Sequence, residues 1–196
     1  MTKLSQECRR AIAETMTEIR SILNSKVDVA ALEDAKEHLV RLCGRTDLFT
    51  FDAFPLPDDA RPEISYLVHA DGDGGYALYI NSGKPSQYYR PHNHGGSWAI
   101  VGGVQGREQH RMFQETGRVE DPIELKATLT VEPGTAVSML PDGVHSIAAA
   151  DDQPLLHLHL YQTMFENMKT RREFDEETGE VFSFRMENFG SIIDLR

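Results

Sequence analysis

Apolar and polar residues alternate with one period at the start of the chain and with another in the rest. Leu4, Cys8, Ile12, Met16, Ile19 and Leu23 recur at steps of three and four with charges between them, the spacing of one apolar stripe on an amphipathic helix. Ser5 stands at the expected start of that helix and Asn24-Ser25 at its stop. Ala31, Leu32, Ala35, Leu39 and Leu42 form a second stripe, predicting a helix from about Val29 to Leu42 with Gly44 just past its end. Between Thr46 and Pro62 the run "FDAFPLPDDARP" predicts a loop, because proline removes backbone donors and disfavours helix before it.

From Ile64 onward the chain is built of short apolar runs, among them "ISYLVHA", "YALYI", "SWAIVGGV", "TAVSML" and "PLLHLHLYQ", separated by turn residues such as "GDGG", "NSGKP" and "PDG". Turn signals about every 8–12 residues predict an all-β sandwich or barrel rather than a parallel α/β sheet. After Phe165 the chain is charged and weakly periodic until "FSFRM", and "DEETGE" reads as a solvated hairpin turn. The expected division is a helical segment over 1–45, a linker over 46–63 and a barrel with a C-terminal extension over 64–196. At 196 residues these fold together as one domain.

Composition narrows the partners. With 31 acidic against 20 basic side chains the net charge is −11, which opposes phosphate backbones and anionic membrane surfaces, so neither nucleic acid nor membrane is expected. Cys8 and Cys43 are the only cysteines and form no Cys-x-x-Cys pair, which excludes a disulfide framework and fits a reducing compartment. The N-terminus lacks the apolar core of a signal peptide and no window approaches a membrane span, so a soluble cytoplasmic protein is expected.

Candidate chemistry lies in three segments. In "YYRPHNHGGSWAIVGG", His92 and His94 flank Asn93; alternate residues of a strand share a face, so both imidazoles can reach one ion. Such a pair equally fits a solvated strand end, and a metal site needs a third ligand. His145 follows a turn made by Pro141 and Gly143. In "LLHLHLYQ", His157, His159 and Tyr161 share one face and Leu156, Leu158 and Leu160 the other. That polar face is either a hydrogen-bonded interior ladder or part of a site, and the gathering of five histidines and a tyrosine favours the site. His38, His69 and His110 fall outside these segments and carry no site expectation; packing is the expected role of Trp98.

The arrangement resembles the cupin superfamily, whose first motif carries two metal histidines as HxH followed by an acidic ligand and a glycine. His92, His94 and Gly106 match, but the acidic position falls at Ala99. Pro141, Gly143 and His145 match the second motif one residue more tightly. Within the cupins, three histidines followed by a His-x-Tyr strand look like the cysteine dioxygenase family of thiol dioxygenases, over the stretch from Tyr66 to "RREFDEETGEV". The resemblance implies a small antiparallel jelly-roll barrel behind two N-terminal helices. It also implies one non-haem Fe(II) on His92, His94 and His145, with His159 and Tyr161 orienting substrate and O2.

Departures from that family carry information. His157 replaces the serine that usually precedes the His-x-Tyr pair, adding an ionisable member to the outer group. Ala99 also stands where the animal enzymes place a cysteine crosslinked to the tyrosine, and Ser65 where they place the arginine that binds the substrate carboxylate. Bacterial relatives acting on 3-mercaptopropionate carry an arginine after the His-x-Tyr strand, a place matched by Arg171 or Arg172. Arg90, two residues before His92, is the third candidate and is expected to face the ligands. The expected activity is therefore a thiol dioxygenase forming the sulfinate of a small carboxylated thiol such as 3-mercaptopropionate. The alternatives are a three-histidine cupin dioxygenase of a diketone and a non-catalytic cupin that binds a metal or small ligand.

Overall fold

The computed structural model describes residues 4–58, 61–183 and 191–196. Helix α1 (Gln6–Leu23) begins where the Ser5 hydroxyl accepts from the Cys8 N–H at 3.1 Å, and α2 (Val29–Cys43) where the Asp28 carboxylate accepts from the Ala31 N–H at 2.9 Å. Each cap satisfies a backbone donor that the first turn would leave unpaired. Both apolar stripes are buried. The segment predicted as a linker is tied to the core: Phe49 and Phe54 are buried 6.1 Å apart, and the Tyr66 hydroxyl donates to the Pro55 carbonyl at 2.8 Å.

Twelve strands follow among the described residues: β1 (Glu63–His69), β2 (Gly75–Gly83), β3 (Tyr88–Asn93), β4 (Ala99–Gln105), β5 (Glu108–Glu115), β6 (Ile123–Val131), β7 (Ala136–Met139), β8 (Val144–Ala149), β9 (Leu155–Thr163), β10 (Arg172–Phe174), β11 (Val181–Ser183) and β12 (Ser191–Asp194). They form two sheets, ordered β12-β1-β2-β9-β4-β7 and β11-β10-β3-β8-β5-β6. Successive strands from β2 to β9 cross between the sheets, apart from the β5–β6 hairpin, which makes the core of the molecule an antiparallel jelly-roll barrel. The pairing of β1 with β12 is parallel. "DEETGE" is the turn joining β10 to β11, with Asp175 Oδ1 accepting from the Glu177 and Thr178 N–H groups. Residues 184–186 of the expected strand "FSFRM" lie outside the described residues.

The alternation in β9 divides the molecule into layers. Leu156, Leu158 and Leu160 point out of the barrel and pack, with Ile64, Leu78, Ile80 and Ile100, against the stripes of α1 and α2. Gly102 on β4 lets α2 lie this close, since a Cβ there would come 2.6 Å from Cys43 Sγ. His157, His159 and Tyr161 therefore face the interior, toward the sheet that carries the other histidines. No helix among the described residues is long and apolar enough to cross a membrane.

Candidate metal centre

Strand β3 delivers the first histidines through two local irregularities. It pairs with β8 as Tyr89↔Ile147 and then His92↔His145, so three steps on β3 match two on β8, the signature of a bulge. The bulge keeps Tyr89 and His92 on the interior face and turns Arg90 outward, where its side chain is 53% exposed and lies 3.1 Å from the Asp175 carboxylate. Arg90 therefore does not face the ligands, because the alternation that predicted it holds only in an unbulged strand. After β3, His94 to Ser97 form a tight turn closed by the Ser97 N–H to the His94 carbonyl at 3.1 Å, with Gly95 at φ +61° and Gly96 at φ +88°. Both central positions lie in the left-handed region that glycine adopts without strain. Asn93, between the histidines, accepts at its Oδ1 from the Gly95 N–H at 3.2 Å and the Arg172 N–H at 2.9 Å, so it pins both the turn and the start of β10.

His92, His94 and His145 are buried, and one ring nitrogen from each lies within 4.8 Å of the others. Their partners fix which nitrogens face inward. His92 Nδ1 lies 2.8 Å from the Arg90 carbonyl, which only accepts, so Nδ1 carries the hydrogen and Nε2 a lone pair. On β5, His110 Nε2 lies 3.3 Å from the Glu108 carboxylate and is an N–H; its Nδ1 then accepts from the His145 Nδ1–H at 3.1 Å. Neutral His145 is left with a lone pair on Nε2, facing that of His92 at 3.1 Å. Both ring nitrogens of His94 lack a hydrogen-bond partner among the described residues. Lone pairs opposed in a dry interior are costly unless a cation lies among them. The donor set thus fits a metal ion, which His92, His94 and His145 would hold. Burial holds all three imidazoles well below the usual histidine pKa, helped by the Arg171 charge at His92 and His94 and by His92 at His145, so they stay neutral as ligation requires.

Tyr161 lies beside this group, its ring 5.3 Å from that of His94 and its hydroxyl 3.1 Å from His159 Nδ1. Tyr79 and Phe165 pack against it and hold the ring in place. Burial lowers His159 to about 3 and raises the phenol, so both are neutral. A cavity next to the triad is lined by Glu63, Tyr89, His92, His159, Tyr161 and Arg171, with free space of about 10 Å3, room for one water-sized molecule. Arg171 is 4% exposed. Gly95 allows its approach, since a Cβ on Gly95 would lie 2.9 Å from the Arg171 backbone nitrogen.

Of the three arginines expected to bind substrate, the structure brings only Arg171 to this cavity. Arg172 points out of the barrel to the Glu115 carboxylate at 2.7 and 2.8 Å, beside a surface groove of about 680 Å3 that contains none of the histidines. His157 stands 2.9 Å from Glu108 Oε2, an ion-pair distance without the alignment of a hydrogen bond, and so joins the group behind His145. Sequence reasoning missed three buried residues: Glu63, Glu108 and His110. In "EQHRM", Glu108 and His110 alternate onto one face, but only closure of the barrel makes that face interior. Burial would raise Glu108, yet His157 and His110 outweigh it and hold its pKa well below the usual carboxylate range.

No protein-family model and no curated protein matches the chain. Among solved structures it is similar to DMSP lyase DddQ from Ruegeria pomeroyi, with a TM-score of 0.45, 19% identity, and 65% of this chain and 60% of that one covered. It is also similar to an uncharacterized conserved protein with a double-stranded beta-helix domain from Klebsiella pneumoniae, with a TM-score of 0.44, 13% identity, and 70% and 96% covered. The match to oxalate decarboxylase from Lactobacillus farciminis has a TM-score of 0.37 and 18% identity, and the chain spans 24% of that protein and 45% of its own length. Likeness at these levels assigns no activity to the chain.

Proposed function

We propose that the chain is a mononuclear non-haem iron dioxygenase that converts a small carboxylated thiol and O2 to the sulfinate, with His92, His94 and His145 holding the iron. The observation that carries this reading is a group of three neutral imidazoles, one of which, His92, lines an interior cavity together with the Tyr161 phenol and the buried Arg171 guanidinium. Three neutral ligands leave an ion its full charge and open positions, which favours an anionic thiolate. When bound, iron would supply the redox chemistry and the meeting place of sulfur and dioxygen. Sulfur gives up four electrons and the two oxygen atoms accept them, so no further reductant enters.

The chain's own residues would bind and orient. Arg171 would grip the substrate carboxylate through its planar fork, and the separation between that fork and the triad would select substrate length. His159 Nδ1–H would donate to the phenol oxygen, leaving the Tyr161 hydrogen to point at the oxygen being transferred. Ala99 is the register partner of Tyr161 and carries no sulfur, so no thioether crosslink would form; Ser65 on β1 carries no charge, which favours a carboxylated thiol other than cysteine, with 3-mercaptopropionate the leading choice.

The test is to load the protein with Fe(II) without oxygen, admit O2, and follow its uptake with 3-mercaptopropionate, cysteine, cysteamine and a diketone. Uptake with 3-mercaptopropionate and a sulfinate by mass spectrometry are expected. Uptake driven by no thiol would sink the proposal, and uptake driven by the diketone would replace it.

A further inference from the structure

Behind His145, on the side away from His92 and His94, stands a line of buried polar side chains that the oxygenation reading does not use. His145 Nδ1 meets His110 Nδ1 at 3.1 Å, His110 Nε2 meets Glu108 Oε2 at 3.3 Å, and His157 Nδ1 lies 2.9 Å from the same Oε2. All four side chains are 0–1% exposed. They come from three strands, β8, β5 and β9, so the line crosses from one sheet to the other. Glu108 also receives Gln87 Nε2 at 3.5 Å. A buried carboxylate costs several kcal/mol unless it is paired and hydrogen-bonded, and here Glu108 meets two ring nitrogens and an amide nitrogen.

We propose that Glu108 and His110 are positioning residues for the metal centre: they fix the tautomer and ring angle of His145 and place a negative charge two imidazoles behind the ion. This inference rests on the triad being the metal site and does not depend on the substrate. The carboxylate accepts from His110 Nε2, which leaves His110 only an acceptor to offer His145, which in turn aims its Nε2 lone pair at the centre. Reversing any link would present an N–H to the ion. The acid that is lacking beside the ligands, at Ala99, is thus supplied from outside the ligand set, where it strengthens the donor without occupying a position on the metal. His157, on the strand that carries His159 and Tyr161, approaches the same oxygen of Glu108.

The test uses the metal-free full-length protein titrated with Co(II), whose visible bands report its ligand field, with affinity set by competition against a chelator. Wild type binds one equivalent. Glu108→Gln, which keeps size but removes the charge, and His110→Phe, which removes the acceptor, should each weaken binding about ten- to a hundredfold and shift the bands. His110→Asn, whose amide oxygen can accept from His145 Nδ1–H, should recover most of the loss, which a packing role would not predict. Melting of the metal-free proteins separates fold damage from metal affinity, and Glu108→Gln carries the test if His110→Phe does not fold. Wild type that binds no Co(II) overturns the triad and the inference together. Glu108→Gln within twofold of a wild type that does bind, or Asn no better than Phe at position 110, overturns the inference alone.

Discussion

Two carboxylates, Glu63 and Glu108, are buried in the barrel, and their surroundings push them in opposite directions. Glu108 sits among imidazoles and stays ionised. Glu63 is pushed up to about 8, first by burial and then by the charge of Glu108, against the hydrogen bonds it accepts from Asn81 at 2.9 Å and Tyr89 at 3.0 Å. The folded protein therefore keeps a proton on Glu63 that the unfolded chain releases near its ordinary pKa of about 4.5. Folding that binds more protons loses stability as pH rises, so this contribution is fully present below about 4.5 and is gone above about 8. Glu63→Gln should abolish that slope and exceed wild type at pH 9 by on the order of 2 kcal/mol or more. Denaturant melts of both proteins at pH 6.5 to 9 measure the difference, and parallel curves would refute it. A second residue-scale prediction separates the three arginines. Arg171→Ala should raise KM for a carboxylated thiol about tenfold or more, since a charge-assisted pair is lost from a dry site. Arg90→Ala and Arg172→Ala break only surface pairs with Asp175 and Glu115 and should change KM less than twofold in steady-state kinetics.

At the scale of single elements, two irregularities of β3 set the candidate site, and they differ in how legible they were. The glycine pair after His94 announces a turn, because few other residues accept two successive left-handed conformations. The bulge at Arg90-Pro91 gives no such signal, since it is set by pairing with β8, more than fifty residues away. For the same reason both helices and the three histidine segments could be read from local period, while His110 and Glu108 could not: their burial comes from a sheet that closes over them. The sequence left Arg171 as one of three candidates with Arg172 and Arg90; between the first two, which neighbour turns inward depends on how Asn93 anchors the start of β10. Gly95→Ala tests the turn. It meets a left-handed φ of +61° and brings a Cβ to 2.9 Å from the Arg171 nitrogen, so both strain and displacement follow. The expected loss is about 1–3 kcal/mol of stability, read by thermal melting, together with a higher KM than Gly96→Ala, where a Cβ meets nothing within 4 Å. Equal effects at 95 and 96 would show that the close approach to Arg171 does not matter.

On the scale of the whole molecule, one apolar cluster stands apart from the chemistry and a second lies beside it. The largest hydrophobic cluster lies between the helices and the outer face of one sheet, and the inside of the barrel carries histidines, carboxylates and Arg171. A second buried apolar cluster, with Tyr79, Val101, Met139, Tyr161 and Phe165, packs beside those polar groups, and the helices add burial on the outer face of the sheet. The polar groups leave the metal-free interior dependent on protonation. The triad imidazoles and His159 have folded pKa values below their ordinary value of 6.5, so the unfolded chain takes up protons first as pH falls, and stability is lost progressively below about pH 6.5. A metal that binds only the folded state adds stability by mass action, about 4 kcal/mol at a thousandfold excess over Kd, or roughly 8–16 °C in Tm for a domain of this size. Because the folded imidazoles are already neutral, that gain should change little between pH 8 and pH 5, while a chelator returns the metal-free curve at every pH. Melting curves with and without Fe(II), taken without oxygen between pH 5 and 8, measure both slopes. His145→Ala should retain the fold and lose the metal-dependent rise; a full rise in that variant would place the ion elsewhere in the protein.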